Sequence, residues 1–295
     1  MKTEVKKLDK LKRTIKIEVK GEEFLNKKKE VYRQNAKNLK VPGFRPGSAP
    51  LEVLEKYHGK FLKEEFLKES VSLFYSKAIE DNNILPASLP RIYDVKCSAD
   101  LLSFSADFET KPQIEIKENS YKGLKIKDIK IEVKEVDIEK ILTNLKEGIK
   151  KIFKNDLGDE ELAKWASYPD TGSLKEAIKA QLFGEKLKER RHNIDSQIRE
   201  YLLKNHKTDL PKSEIERYHK DLVNREIYNL RVKGASQEDI DKYKPDLDSK
   251  LKPLAENEVK LFYIFEAIAK KENITIDNNL AEVISGFILS QAEYK

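Results

Sequence analysis

The chain has 295 residues, enough for two domains that each bury a core. Charged residues make up 37% of it and apolar residues 39%, with a mean hydropathy of −0.68, so wholesale disorder and a membrane-embedded body are both excluded. No apolar run approaches the ~20 residues of a transmembrane helix. The first residues, Met1 to Leu8, are charged and lack the apolar core of a secretion signal, which predicts a soluble cytoplasmic protein. The single cysteine, Cys97, leaves no partner for an internal disulfide and fits a reducing compartment.

The charge is unevenly spread. Residues 1–60 carry 17 Lys and Arg against 8 Asp and Glu, a net of +9, whereas the other 235 residues carry 41 against 44, a net of −3. An anionic partner such as an RNA backbone is therefore expected at the N-terminal end.

In chain order, Arg13 to Lys20 alternates apolar and polar residues, the pattern of a half-buried strand. After Gly21 the period becomes helical, with Phe24, Val31, Tyr32, Ala36 and Leu39 on one stripe. Lys29, Arg33, Lys37 and Lys40 form a basic ridge on another face. Read alone, such a ridge is a solvated helix face; leading into a basic loop, it reads as a footprint for phosphate. Then comes Val41-Pro42-Gly43-Phe44-Arg45-Pro46-Gly47-Ser48-Ala49-Pro50, which no helix or strand can cross. Proline restricts the backbone and glycine allows positive φ, so a rigid turn is predicted, with Phe44 and Arg45 held between two Pro-Gly pairs. The alternative is a plain helix connector with Phe44 in the core.

A second helix is predicted over about Leu51–Asn82, with Leu54, Phe61, Phe66, Val71, Leu73, Phe74 and Ile79 as core candidates and His58 at the surface. Strands follow around Ile92–Val95 and Leu102–Phe108, with Cys97 read as a buried strand residue and extended chain at Ile114 and Ile116. The first domain is thus β-α-loop-α-β-β, an α+β unit. Residues 121–133 alternate but are highly charged. A helix is predicted from Val136 to about Phe153 with Asp137 at its N-cap, and a long one opening at the S-x-x-E box Ser173–Glu176. Helices carrying Leu174, Ile178, Leu182, Leu187, Ile194, Ile198 and Leu202, then Ile215, Tyr218, Leu222 and Val223, fill the rest. The densest apolar stretch, Val259 to Ile268, is apolar on nearly every face, and Leu280, Ile284, Phe287 and Ile288 close the pattern.

The string Gly43-Phe44-Arg45-Pro46-Gly47-Ser48-Ala49-Pro50 resembles the G-F-R-x-G-x-x-P signature of the trigger factor family, ribosome-associated bacterial chaperones. Pro46 stands where many members carry lysine. The order of helices, including Leu210-Pro211-Lys212-Ser213 and Leu251-Lys252-Pro253-Leu254-Ala255, is similar to that family's C-terminal domain. The resemblance implies a ribosome-binding domain over 1–116, an extended linker over 117–135 and an elongated helical chaperone domain over 136–295. It implies docking at the ribosome exit tunnel, against large-subunit protein and RNA, through Gly43, Phe44, Arg45, Pro46, Gly47 and Pro50, with the ridge Lys29, Arg33, Lys37 and Lys40. It also implies shielding of unfolded nascent polypeptides without ATP, and weak homodimerisation. Exposed members of the set Leu187, Ile194, Ile198, Tyr218, Leu222, Ile284, Phe287 and Ile288 are the candidate client-binding residues.

Many family members also carry a prolyl isomerase domain of the FK506-binding type. A domain of that kind needs on the order of a hundred residues, and the stretch from Phe153 to Ser173 cannot supply its aromatic pocket. No phosphate-binding loop, H-E-x-x-H or G-x-S-x-G motif is present, and His58, His192, His206 and His219 are scattered. No enzyme activity, cofactor or metal is therefore expected. A second reading, from another class, is a ribosome-assembly or RNA-binding factor gripping a folded ribosomal protein.

Overall fold

The computed structural model describes residues 1–295 apart from Pro46, Asn155, Asp156, Asn278 and Lys295, and apart from the side chain of Phe153. The chain divides into two compact units: Met1–Ile114 with Thr208–Tyr263, and Glu115–Lys207 with Ile264–Lys295.

In the first unit, strands β1 (Lys2–Lys7), β2 (Lys12–Lys20), β3 (Arg91–Cys97) and β4 (Leu101–Glu109) form an antiparallel sheet in the order β1-β2-β4-β3. Ile15, Ile17 and Val19 of β2 and Leu102, Phe104, Ala106 and Phe108 of β4 all point into the core, as their two-residue period requires. Strand β1 is an addition to the predicted order, making it β-β-α-loop-α-β-β. It is an edge strand with only Val5 apolar, so its lysines and glutamate mask the alternation. Between Tyr93 and Lys96 the β3 register slips at a bulge, where Asp94 takes a φ of +53°. Cys97, expected to be buried, is half-buried at the end of this strand.

Two helices cover the sheet. Helix α1 (Glu22–Ala36) buries Phe24, Val31, Tyr32 and Ala36, and α2 (Leu51–Asp81) buries Leu54, Leu62, Phe66, Phe74, Tyr75, Ala78 and Ile79. The Phe24 and Phe66 rings meet edge to face, 5.2 Å between centroids. Phe61 and Leu73, expected in the core, are exposed. The cause at Phe61 is local: α2 bends at His58, which takes non-helical angles of −131° and 20°, and the inward face beyond the bend runs through Leu62.

Also in this unit are α6 (Lys212–Val232) and the first part of α7 (Gln237–Glu272). Helix α6 begins after Pro211, which offers no side-chain cap. The carboxylate of Glu109, at the end of β4, takes that place by accepting from the Ser213 backbone N–H at 2.8 Å and from its hydroxyl. Glu109 is only 7% exposed. Ser236 stands at the start of α7, its Oγ accepting from the Asp239 N–H.

The second unit holds β5 (Lys125–Ile126), α3 (Glu135–Phe153), α4 (Asp159–Trp165), α5 (Thr171–Asn205), the last turns of α7, α8 (Leu280–Ser290) and β6 (Glu293–Tyr294). Ile138, Leu142 and Ile149 of α3 pack with Leu162, Ala163, Leu174 and Ile178. Two helix starts differ from expectation. Asp137 is the third residue of α3, not its N-cap, and accepts from the Lys134 N–H at 3.3 Å. Helix α5 opens at Thr171 because Asp170, a charged cap, accepts from the Ser173 N–H at 2.7 Å; Ser173 is already inside. The charged stretch around residues 117–135 is anchored at Tyr121, Leu124 and Ile126, all buried. Of the apolar end of α7, this unit holds Ile264, Phe265 and Ile268, all buried; Val259, Leu261 and Tyr263, also buried, and the exposed Phe262 belong to the first unit. Among the described residues no helix is long and apolar enough to cross a membrane.

Candidate functional site

Helix α1 ends where the loop begins, and the sequence dictates the geometry. Val41 is buried and pins the loop to the sheet-helix core. The Phe44 N–H donates to the Val41 carbonyl at 3.1 Å and Gly43 takes a φ of +83°, a turn of the type II kind with Pro42 before the glycine. A second turn follows the same rule: the Ser48 N–H donates to the Arg45 carbonyl at 3.0 Å, and Gly47 again has a φ of +83°. The Gly47 N–H reaches back to the Ala36 carbonyl at 3.1 Å, tying the loop to the last turn of α1. Ser48 Oγ donates to the Arg45 carbonyl at 2.7 Å, closing the second turn further.

Phe44 and Arg45 therefore stand between two closed turns, and both are exposed, Phe44 by 42%. The core placement of Phe44 is ruled out. Pro46 lies outside the described residues. Pro50 sits at the start of α2, where its carbonyl accepts from Val53 and Leu54, so it serves the helix start and not the loop apex.

The electrostatics of α1 separate two kinds of lysine. Lys27 pairs with Glu30 and Glu69 at 3.1 and 3.3 Å, and Lys28 with Glu55 at 2.7 Å. Burial works against the Lys27 charge, but the two carboxylates outweigh it and hold the ammonium above the ordinary lysine range. Lys29, Arg33, Lys37, Lys40 and Arg45 are exposed, and none makes an ion pair among the described residues. Gly47 packs against Lys37, where an added Cβ would lie 3.6 Å from the lysine Cα, and His58 Nε2 bonds the Lys40 carbonyl at 2.9 Å. The loop and the C-terminal half of the ridge thus form one surface, made of an apolar ring, an arginine fork and uncompensated cations. Such a surface suits phosphate contact with one hydrophobic anchor.

The candidate client-binding residues are placed less uniformly. Ile194 and Ile198 of α5 and Ile284 and Ile288 of α8 are buried in the second unit and present no free apolar surface. They were grouped with exposed residues because a helical stripe reads the same whether solvent or another helix covers it. Leu187 of α5 is 47% exposed. Phe287 is half-buried, with the Lys122 ammonium 5.9 Å from its ring. In the first unit Tyr218 and Leu222 of α6 are half-buried, and the Arg225 guanidinium lies 5.9 Å from the Tyr218 ring.

Several exposed apolar residues lie outside the candidate client-binding set. Phe183 lies one turn before Leu187 on α5, and Tyr57 and Phe61 lie one turn apart on α2. Tyr228 and Val232 lie one turn apart on α6. Their four-residue spacing was visible, but nothing in a single sequence says which stripe a neighbour covers.

Among the described residues no group of three or more His, Cys, Asp or Glu side chains could hold a metal ion. Burial raises the pKa of the Cys97 thiol and so disfavours its thiolate form.

Comparison with known proteins bears on the whole chain. The family model for bacterial trigger factor protein matches residues 1–145, and the model for the trigger factor C-terminus matches residues 172–284. A trigger factor of Clostridium botulinum (strain Loch Maree / Type A3) is 33% identical over 164 residues, covering 55% of this chain and 37% of the relative. One of Acetivibrio thermocellus is 35% identical over 147 residues, covering 48% of this chain and 33% of the relative. The matched stretch thus spans about a third of the relatives' own length. A solved structure from work called "Promiscuous Substrate Recognition in Folding and Assembly Activities of the Trigger Factor Chaperone" superposes with a TM-score of 0.52 at 15% identity, covering 97% of this chain and 93% of the other. At that identity it attests the fold.

Proposed function

This chain belongs to the trigger factor family, and on that premise we propose that it is an ATP-independent chaperone of the bacterial cytoplasm that docks at the ribosome and shields nascent polypeptides. The observation that carries the docking half is the exposed pair Phe44 and Arg45, held between two glycine turns beside cations that make no ion pair among the described residues. Ribosomal RNA meets the cations, and a large-subunit protein near the exit tunnel receives the Phe44 ring. Client binding uses exposed apolar residues such as Phe183 and Leu187, set among charges that keep the chaperone itself dispersed. Weak self-association off the ribosome follows from the same exposed apolar surface.

Isomerase activity is not part of this proposal: residues 154–170, between α3 and α5, include the seven-residue helix α4 and are fewer than the roughly hundred residues such a domain needs.

Ribosome co-sedimentation at low and moderate salt tests the docking. We expect the doubly substituted Phe44→Ala/Arg45→Ala chain to lose at least tenfold in affinity. We expect the four-fold neutralised Lys29→Gln/Arg33→Gln/Lys37→Gln/Lys40→Gln chain to bind with a shallower salt dependence. Equal binding by the wild type and the Phe44/Arg45 variant would assign the contact elsewhere.

A further inference from the structure

The second unit contains a rigid strand edge whose occupant is weakly held. Strand β5 is anchored on every side. Leu124 and Ile126 are buried, at 4% and 1% exposure. Just before them Tyr121 is fully buried, its hydroxyl donating to Glu272, which also pairs with Lys122 at 2.8 Å. Just after them the Gln197 side chain clasps Lys127 like a neighbouring strand: its Oε1 accepts from the Lys127 N–H and its Nε2 donates to the Lys127 carbonyl, both at 2.9 Å.

In extended chain, successive residues turn their peptide groups to opposite edges. Gln197 therefore covers the edge served by Lys127, and the edge served by Leu124 is left for β6.

Strand β6 is held quite differently. It runs parallel to β5, Lys125 facing Glu293 and Ile126 facing Tyr294. Glu293 N–H donates to the Leu124 carbonyl at 2.7 Å, and Gly123 N–H donates to the Gln291 carbonyl at 3.0 Å. Gln291, Glu293 and Tyr294 are all exposed, Tyr294 by 51%, so none is an apolar anchor. Among the described residues the hydrogen bonds that join the segment to β5 are main-chain ones, which any extended polypeptide can make, and only Ala292 of the segment is half-buried.

We propose that the β5 edge over Gly123–Ile126 is a binding slot for an extended segment of unfolded polypeptide, and that Gln291–Tyr294 occupies it as a displaceable internal strand. Such a segment would add to β5 by strand augmentation, main-chain bonds giving sequence-tolerant affinity. This inference rests on the chaperone reading for the nature of its ligand.

The test uses the full chain and a fluorescein-labelled seven-residue Thr/Val peptide with a lysine at each end, alongside its alternately N-methylated analogue. Glu293→Pro removes the N–H that Leu124 accepts, whereas Glu293→Ala keeps it. We expect Glu293→Pro to bind the peptide about tenfold more tightly than the wild type or Glu293→Ala, since the internal competitor is released. The N-methylated peptide should not bind any of the three. In the wild type, saturating peptide should speed hydrogen exchange at the Glu293 amide, a readout that needs no substitution.

Equal affinities in Glu293→Pro and wild type with no change in exchange would overturn the proposal. So would undiminished binding of the N-methylated peptide, or a concentration-dependent dimer of Glu293→Pro that excludes the peptide, which would make a second copy the occupant. Co-sedimentation with ribosomes separates the two levels. Intact docking with no slot binding sinks the slot alone, and slot binding without docking sinks the ribosome reading alone.

Discussion

At the scale of residues, most of the buried side chains follow from alternation and helical period, and the exceptions have identifiable causes. Ile15, Ile17, Val19, Leu102, Phe104, Ala106 and Phe108 were legible because a strand that buries one face must alternate. Phe61 was not, because a single bend at His58 changes which face of α2 points inward. Exposure of Phe44 was only half legible: the Pro-Gly pairs announced a turn, but which side of it met solvent depended on Val41 taking the core position. Polar atoms carry a further prediction. The Tyr75 hydroxyl has no hydrogen-bond partner among the described residues, and burial pushes its pKa up to about 12. Its ring packs edge to face on Phe108 at 5.8 Å, so the ring and not the hydroxyl stabilises the core. Tyr75→Phe is expected to unfold thermally at the wild-type temperature or above it, by up to about 1 kcal/mol of added stability. A clear loss would show that the hydroxyl has a partner.

At the scale of elements, helix starts show what local sequence can and cannot say. The S-x-x-E box points to Ser173 as the cap, but Asp170 takes that place, and a carboxylate there gains from the helix dipole as well as from the hydrogen bond. Asp170→Ala should cost about 1 kcal/mol of unfolding free energy in urea titration; Ser173→Ala should cost less. If Ser173→Ala proves the more damaging, the cap has been misassigned. The start of α6 was illegible in principle, since its cap, Glu109, lies more than a hundred residues earlier in the chain. Strand β1 was illegible for the opposite reason: its residues are local, but an edge strand this charged erases its own pattern. The basic ridge was legible as charge, yet its distinction from Lys27 and Lys28 required knowing where Glu55 and Glu69 fall.

At the scale of the whole molecule, charge bears on stability and on the proposed docking. In the second unit Arg190 holds Asp128 in a two-pronged pair at 2.6 and 2.8 Å and keeps its carboxyl below the ordinary range. Lys186 does the same for Asp137, and Lys122 for Glu272. A carboxyl whose folded pKa is lowered stabilises the fold above its ordinary value, and that contribution is lost as pH falls through the folded value. The gap in melting temperature between the wild type and Asp128→Asn should therefore stay constant from pH 8 to about 5 and narrow only as pH falls below about 4, where the carboxyl of the unfolded chain and then that of the folded chain is protonated. A gap that does not narrow at all between about pH 5 and about pH 2 would mean the pair acts through packing and not through charge.

The first sixty residues, with their net of +9, point the other way, toward an anionic partner, and the loop at Phe44 is where that charge meets an apolar anchor. The most direct test places a benzophenone amino acid at position 44 and irradiates the chain bound to ribosomes. The account predicts a cross-link to a large-subunit component that disappears when Arg45 is also replaced by alanine. Ribosome binding without any cross-link from position 44, in a chain that still cross-links from a position on the basic ridge, would contradict it.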